Sequence, residues 1–353
     1  MQPQRILSFI PRLPPRVDGV GDYGLVLAKV LKHRHNVDTI FIVLDPLWNG
    51  PSIIEGFPVQ KIDRRDPASL IKLVGHLLSA DTAILVHYVG YGYAKRGCPV
   101  WLIQGLALLK KNFSFKLITM FHELSAMGPV WTSQFWLSPL QKYLVHKLSS
   151  LSDKKHTSLS LYKMQINAQV SHPVLSNVGE PIAVKPLSHR KKQMVIFGSP
   201  GPRSRVYQFS KENLQKICRV LDISRIIDVG SPLSVTLPRL DGVEIISKGI
   251  LQKEEISELL NDSMVGFFNY PSTYLSKSGI FAAYCAHGVL PIGHFYPGQE
   301  SLEAKAGNIF AFAEQMNSGF TLTEAQNIAS CAFTWYQEHR SEVHADLFFQ
   351  SLQ

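Results

Sequence analysis

Short apolar, β-branched runs alternate with helix-length segments along this chain, and the alternation runs through twice. In the first pass, Arg5–Ile10, Thr39–Leu44, Thr82–His87 and Lys116–Phe121 read as strands. Helical periodicity lies between and after them, at Tyr23–His33, Pro67–Ser79, Val100–Lys111 and Ser133–Ser150. His156–Ser160 and Pro173–Ser176 are candidates for two further short strands. The pattern then stops. Asn177 to Gln193 holds Gly179, Pro181, Pro186 and the basic run Arg190-Lys191-Lys192, and no periodic segment crosses it. Beyond it, strands are expected at Met194–Phe197, Ile226–Val229, Val243–Ile246 and Met264–Phe268, and helices at Arg205–Val220, Lys253–Asn261 and Gly279–His287. Glu324 to about Leu352 reads as helix broken near His339. Alternation of this kind predicts α/β layers, parallel sheets covered by helices. The expected organisation is an N-terminal Rossmann-like domain over 1–178, a linker over 179–192 and a second Rossmann-like domain over 193–338. A last helix, 339–353, is available to pack back on the first domain. The two domains are expected to face each other across a cleft between the carboxyl ends of their sheets, where ligands bind in open α/β folds.

A chain of 353 residues suits two cores better than one. Its 45% hydrophobic and 18% charged content excludes an intrinsically disordered protein. No stretch reaches the roughly 18 uninterrupted apolar residues of a membrane span. The short run Ile6–Ile10, followed by Pro11, Pro14 and Pro15, makes a poor signal peptide. Four cysteines are scattered without CxxC spacing, and Cys218 and Cys285 sit in apolar helical patterns, as buried free thiols do. A cytoplasmic protein is expected. The formal charge of +9 points to an anionic partner, and the basic pairs Lys95-Arg96, Lys110-Lys111 and Lys154-Lys155 are dispersed. With no zinc-finger spacing and no aromatic RNA-binding signature, nucleic acid is not an expected partner.

Gly19-Val20-Gly21-Asp22-Tyr23-Gly24 satisfies G-x-G-x-x-G before a helix, and the second strand is followed by Asp45, as in a dinucleotide fingerprint. The spacing departs from it. Eight residues, Pro11 to Asp18, separate the first strand from Gly19, too many for the tight turn that brings backbone to a pyrophosphate. His122-Glu123 follows the strand Lys116–Phe121, but Ala126 breaks any HExxH zinc signature. Neither half carries the paired aspartates of a Mg²⁺ site. The loop Gly128–Trp136 brings Trp131, Phe135 and Trp136 near a helix start, where aromatics pack in a core, stack on a sugar or lie at a membrane surface. Tyr91 and Tyr93, in the glycine–tyrosine loop Tyr88–Lys95, are acceptor-contact candidates by position alone.

In the second half, Asn269 to Gly293 leads through Ser276-Lys277-Ser278-Gly279 into an apolar helix that stops at Gly288. Such a helix start offers unpaired N–H groups and a positive dipole end, with Lys277 beside them, and this suits a diphosphate. Phe197 to Arg205 likewise follows a strand and opens a helix, with Arg203 and Arg205 as forked phosphate donors.

The Asn269–Gly293 stretch resembles the nucleotide-sugar segment of GT-B glycosyltransferases of the family-4 type: Tyr-Pro-Ser, a Gly in the following turn, an alanine-rich helix and a closing Gly. PPRVDGVGDYGLVLA and Lys116–Leu124 are similar to the same family. Where the family carries two glutamates eight positions apart, this chain has Leu275 and Ala283. The resemblance implies a GT-B fold and transfer of a sugar from a nucleotide-diphosphate donor to a saccharide or lipid-linked acceptor, retaining, without a metal or other cofactor. It implies His122 and Lys277 as catalytic residues, and Gly19, Gly21, Asp22, Tyr23, Arg203, Arg205, Ser276, Ser278 and Gly279 as donor-binding. Tyr91, Tyr93 and Trp131 would face the acceptor. A lipid-linked acceptor would bring peripheral contact with the inner face of an anionic membrane. The absent glutamates keep open a GT-B-shaped protein that binds nucleotide or a partner without catalysis, and a nicotinamide-dependent oxidoreductase is the third alternative.

Overall fold

The computed structural model describes residues 5–16, 18–79, 81–126, 130–294 and 307–353. The chain forms two units, one running to Pro173 and taking in Ser341–Gln353, the other Val174–Arg340. No helix among the described residues is long and apolar enough to cross a membrane.

The first unit is built on a sheet of β1 (Arg5–Ile10), β2 (Asp38–Val43), β3 (Ile53–Ile54), β4 (Phe57–Lys61), β5 (Thr82–Tyr88), β6 (Lys116–Phe121), β7 (Lys154–Thr157) and β8 (Val170–Ser171). Its order is β3-β4-β2-β1-β5-β6-β7-β8, parallel except for the β3–β4 hairpin. All seven residues of β5 are buried, which is why its apolar run is continuous rather than alternating. The helices are α1 (Gly19–His35), α2 (Pro67–Gly75), α3 (Gly90–Tyr93), α4 (Val100–Asn112), α5 (Ser133–Leu151) and α6 (Ser160–Ile166). The strands expected at 5–10 and 116–121 form at those bounds, whereas Pro173–Ser176 forms no strand. Pro173 has no N–H to give a ladder, and the next backbone group turns elsewhere, Val174 N–H donating to Ser276 O at 2.8 Å.

The second unit carries β9 (Lys191–Phe197), β10 (Arg225–Val229), β11 (Glu244–Gly249), β12 (Ser263–Asn269), β13 (Leu290–His294) and β14 (Ala311–Phe312) in the parallel order β11-β10-β9-β12-β13-β14. Its helices are α7 (Pro200–Phe209), α8 (Lys211–Val220), α9 (Lys253–Asp262), α10 (Gly279–Ala286) and α11 (Leu322–Gln337). Residues along β9 alternate between two cores. Met194 and Ile196 pack with Leu214, Ile217 and Ala325, while Val195 and Phe197 pack with Phe281, Tyr284 and Tyr336. The single helix expected over Arg205–Val220 is divided at Ser210 into α7 and α8.

The proline- and glycine-rich segment after Ser176, expected to be a linker, is tied down within the second unit. Arg190 is buried, and its guanidinium donates only to backbone carbonyls: Lys185 at 2.6 and 2.8 Å, Leu260 at 3.2 Å, Ser263 at 3.1 Å and His287 at 2.7 Å. Two of these carbonyls lie at the end of α9 and one just past α10, so one buried cation complements the negative ends of two helices. Burial lowers the Arg190 pKa to about 10.

α12 (Ser341–Leu352) belongs to the first unit and packs on α1. Asp346 accepts from Arg34 at 2.8 and 3.0 Å and contacts His35 at 2.7 Å. Beneath this lies a buried histidine network. Tyr23 Oη meets His344 Nδ1 at 3.1 Å, His344 Nε2 meets His172 Nδ1 at 2.8 Å, and His156 Nε2 meets Ser351 Oγ at 2.8 Å. His87 Nδ1 and His122 Nε2 are 3.2 Å apart, with the Tyr23 ring edge-on to both.

Candidate functional site

In the second unit the chain leaves β9 toward β10 on one side and later returns to place β12 on the other, so the strand order reverses between β9 and β12. Crevices at the carboxyl ends of such a strand pair are where open α/β sheets bind ligands. A pocket lies there, lined by Phe197, Pro202, Asn269, Tyr270, Ser278 and Ile280 among others. α10 points its N-terminus at it. Ser278 is the N-cap, its Oγ accepting from Phe281 N–H at 3.2 Å, and the helix behind is buried over Phe281–Ala286. Helix geometry leaves the amides of Gly279 and Ile280 without intrahelical acceptors, at the positive end of a dipole in a dry environment. Gly198 has φ +121°, and a Cβ there would meet Ile280 Cδ1 at 2.5 Å, so only glycine lets the turn after β9 pass so close to α10.

Asn269, the last residue of β12, is 3% exposed, and its Nδ2 is buried with no hydrogen-bond partner among the described residues. A buried amide donor left unpaired costs about 1–3 kcal/mol. Here that donor lines the pocket in which the α10 amides stand. The arrangement concentrates hydrogen-bond donors and positive potential on one small volume, which is what an anionic oxygen requires.

The cations divide between two roles. Arg203 lines the pocket, but it is 1% exposed and forms a buried ion pair with Asp228, whose carboxylate also accepts from Tyr207 Oη at 2.8 Å. Its remaining donors reach Ser231 O at 2.7 Å and Gly198 O at 3.4 Å. Arg203 is therefore committed to the fold, contrary to the expectation that it holds phosphate. Arg205, half-buried two residues further along α7 and so on a different side of the helix, has no ion pair among the described residues. Lys277 immediately precedes the α10 cap, with Nζ 5.7 Å from the Tyr274 ring centre. Ser276 is 1% exposed, and its carbonyl serves Val174. Gly279 O takes the Asn177 N–H at 3.4 Å.

Leu275 and Ala283, where the resemblance places glutamates, are both wholly buried in the apolar core with Phe281, Tyr284 and Tyr336. α10 is apolar all round, so position 283 has no ligand-facing side. In this register the two positions are packing positions, and the expected comparison with sugar-reading carboxylates does not carry over.

In the first unit the glycine-rich motif opens a helix rather than a loop. α1 begins at Gly19, and Asp18 caps it by accepting from Val20 N–H at 3.0 Å and Gly21 N–H at 3.1 Å. Burial raises the Asp18 pKa against the pull of those two amides and Arg12. A carboxylate already occupies the donors that a phosphate would need. A Cβ on Gly21 would sit 2.4 Å from Arg12 O, so this glycine serves close packing on the preceding turn. Asp22 lies in the first turn of α1, and Tyr23 is 6% exposed within the histidine network, turned away from the donor-binding role expected of it. Asp45, the fingerprint acid, pairs with Arg12 at 2.8 Å and Arg65 at 3.5 Å. Burial alone would raise its pKa; the Arg12 hydrogen bond, the Leu47 amide and Arg65 hold it lower. The groups a dinucleotide would use are thus taken, which removes the basis for the oxidoreductase alternative.

His122 stands just beyond the carboxyl end of β6, 7% exposed, its N–H donating to Tyr88 O at 3.0 Å. Tyr93 is wholly buried, its hydroxyl donating to His87 O at 2.7 Å and Phe9 O at 3.2 Å, so it is a packing residue and not an acceptor contact. Tyr91 and Trp131 are exposed. Gly128 and Pro129, which open the aromatic loop, and Val17 of the N-terminal motif lie outside the described residues. The site residue that sequence alone missed is Asn269. Its position after an apolar strand was the available signal, but its missing partner shows only in three dimensions.

No protein-family model and no curated protein matches the sequence. Solved structures share the fold. The chain is similar to "alpha-glucosyltransferase (AGT) in complex with UDP", at 12% identity and a TM-score of 0.58, over 99% of this chain and 100% of that one. It is similar to a glycosyltransferase from Rickettsia africae ESF-5, at 12% identity and a TM-score of 0.59, over 100% and 99%. The lipopolysaccharide outer core galactosyltransferase WaaB matches at 9% identity and a TM-score of 0.51, over 99% of both chains. The fold is therefore the two-domain α/β GT-B architecture seen in glycosyltransferases.

Proposed function

We propose that the protein is a glycosyltransferase that moves a sugar from a nucleotide-diphosphate donor to a saccharide or lipid-linked acceptor. The observation that carries this reading is the buried, unpartnered Asn269 amide in the pocket at the carboxyl ends of β9 and β12, beside the α10 N-terminus. In the proposal the donor diphosphate seats against the amides of Gly279 and Ile280 and accepts from Asn269 Nδ2. Lys277 and Arg205 supply the positive charge that other transferases take from a metal. The bond from the anomeric carbon to the diphosphate breaks, the acceptor hydroxyl oxygen bonds that carbon on the same face, and its proton passes to the departing diphosphate. Leaving-group stabilisation is the main catalytic contribution. His122 is the first unit's candidate for a hydroxyl contact, on its place at the end of β6.

Calorimetric titration with UDP, GDP and NAD in EDTA tests this. A nucleoside diphosphate should bind without metal and NAD should not. Lys277→Ala should weaken binding by about 1.5–3 kcal/mol. Asn269→Asp keeps the shape of the side chain but sets an anion against the diphosphate, and should abolish binding. Full affinity in Asn269→Asp, or binding that requires a divalent ion, defeats the proposal. A second reading, nucleotide binding without transfer, is favoured by the burial of Leu275 and Ala283, which leaves no carboxylate at those positions to read the donor sugar. Donor-dependent labelling of an acceptor pool separates the two, since only a transferase consumes the nucleotide sugar.

A further inference from the structure

His87, His156 and His172 of the first unit each bury one ring nitrogen that has no hydrogen-bond partner among the described residues: Nε2, Nδ1 and Nε2 in that order. At His156 the partners fix the proton. Ser351 Oγ donates to Leu347 O at 3.1 Å, so it accepts from His156 Nε2–H at 2.8 Å. The unpartnered Nδ1 is therefore the bare nitrogen. This agrees with the general rule that buried N–H groups are almost never orphaned, whereas buried acceptors sometimes are.

The same rule decides the pair formed by His87 and His122. His87, near the end of β5, is wholly buried. Its Nε2 faces α1, where a Cβ built on Gly24 would meet it at 3.7 Å together with Ile10 Cδ1 and Phe41 Cε1. Carbon atoms crowd that side. Its Nδ1 lies 3.2 Å from His122 Nε2, and one proton stands between the two nitrogens. Were that proton on His122, neutral His87 would carry its own on Nε2, as a buried N–H without an acceptor. With the proton on His87, Nδ1–H donates to His122 and only a bare nitrogen is left unpaired. His122 then accepts through Nε2, and its own proton sits on Nδ1. In water a neutral histidine favours the Nε2–H form; in a protein the bond made by one nitrogen sets the state of the other.

We propose that His87 is a positioning residue that holds His122 as its Nδ1–H tautomer, so that His122 offers a hydrogen-bond donor and not a base. The role that follows rests on the sugar-transfer reading: Nδ1–H donates to a sugar hydroxyl oxygen, and His122 takes no proton during transfer.

Two-bond proton–nitrogen correlation spectra of the full chain, isotope-labelled at its histidines and held at pH 8, read the tautomers without any ligand. Loss of signals in His122→Asn identifies those of His122. In the native sequence His122 should be protonated at Nδ1. In His87→Leu the ratio should move toward the Nε2–H form roughly tenfold, the worth of one buried hydrogen bond. His87→Gln, whose amide can still donate, should keep the Nδ1–H form. His156 should stay protonated at Nε2 in all of them, a signal that general damage to the unit would disturb. An Nε2–H His122 in the native protein, or an unchanged ratio in folded His87→Leu, overturns the proposal. Should His87→Leu not accumulate, the native spectrum and His87→Gln decide alone. A protein that binds neither UDP nor UDP-glucose sinks the sugar-transfer reading and the hydroxyl contact with it, whereas the position of the proton is read independently.

Discussion

Mild acid should unfold the first unit while leaving its carboxylates ionised. His87 and His156 are buried with their pKa lowered to about 3, and His172 to about 4, desolvation being the leading cause in each. A backbone hydrogen bond at Pro173 pulls the His172 value back only in part, and the other groups around the three rings offer no negative charge. They are the rings of His122, His344 and Tyr23, the Ser351 hydroxyl, and Lys154, whose charge lowers the His156 pKa further. Each of the three also keeps one buried ring nitrogen without a partner, His87 Nε2, His156 Nδ1 and His172 Nε2, so a second proton would find no acceptor. The sign follows from linkage. The folded pKa lies below the unfolded value near 6.5, so the stabilisation is complete above that value and is lost as pH falls toward the folded pKa. Between pH 7.5 and 5.5 the unfolded chain takes up nearly one proton per histidine that the folded unit refuses. That costs about 1.4 kcal/mol each, or ~4 kcal/mol for the three, a large part of a domain's total stability. In the second unit His287, lowered to about 4 by burial, acts in the same sense. Guanidinium unfolding at closely spaced pH values, followed by near-UV dichroism, reads the effect as a falling midpoint. Below pH 6.5 these groups should contribute a slope approaching three protons in the first unit and one in the second. A midpoint flat from pH 7.5 to 5.5 would refute the reasoning, since it would mean the histidines take up protons within the folded state.

Other perturbations separate packing from ligand recognition. Arg190→Gln withdraws the guanidinium donors from the carbonyls of Leu260, Ser263 and His287 and should cost about 2–4 kcal/mol, read as a lower urea midpoint for the second unit. Asp228→Asn leaves Arg203 as a buried unpaired cation and should cost about 3–5 kcal/mol, while Asp228→Leu with Arg203→Met should cost much less, as a denaturation cycle would show. Ala283→Glu should fail to accumulate as folded protein or lose several kcal/mol, because it buries a carboxylate among Phe281, Tyr284 and Tyr336. A stable Ala283→Glu variant with tighter UDP binding would instead place that side chain against the ligand.

What was legible in the chain was what burial writes into composition. β1, β5, β6 and β12 are covered on both faces, so their apolar runs are unbroken and their bounds plain. β13 was not legible: Pro291 and Gly293 interrupt Leu290–His294, yet the strand pairs with β12 and β14. β3 and β4, with two and five residues and Pro58 inside the second, carry too little pattern to stand out. At the site, the capped start of α10 followed from Ser278-Gly279 ahead of an apolar run. The fate of Arg203 did not, because its partner Asp228 lies 25 residues away and on another strand. Tyr23 and Tyr93, expected as donor and acceptor contacts beside glycines, are instead buried where those glycines let helices and turns pack closely.

The return of α12 to the first unit sets an order of assembly during synthesis. Residues 5–173 leave the ribosome first, but His344, Phe348 and Ser351, which complete the network around Tyr23, His156 and His172, are made only after the whole of 174–340. At about 5–20 residues per second, the nascent first unit waits for roughly ten to thirty seconds with polar rings and the α1 face uncovered. The second unit, continuous in sequence, has no such wait. The earlier-born half is therefore the later to close.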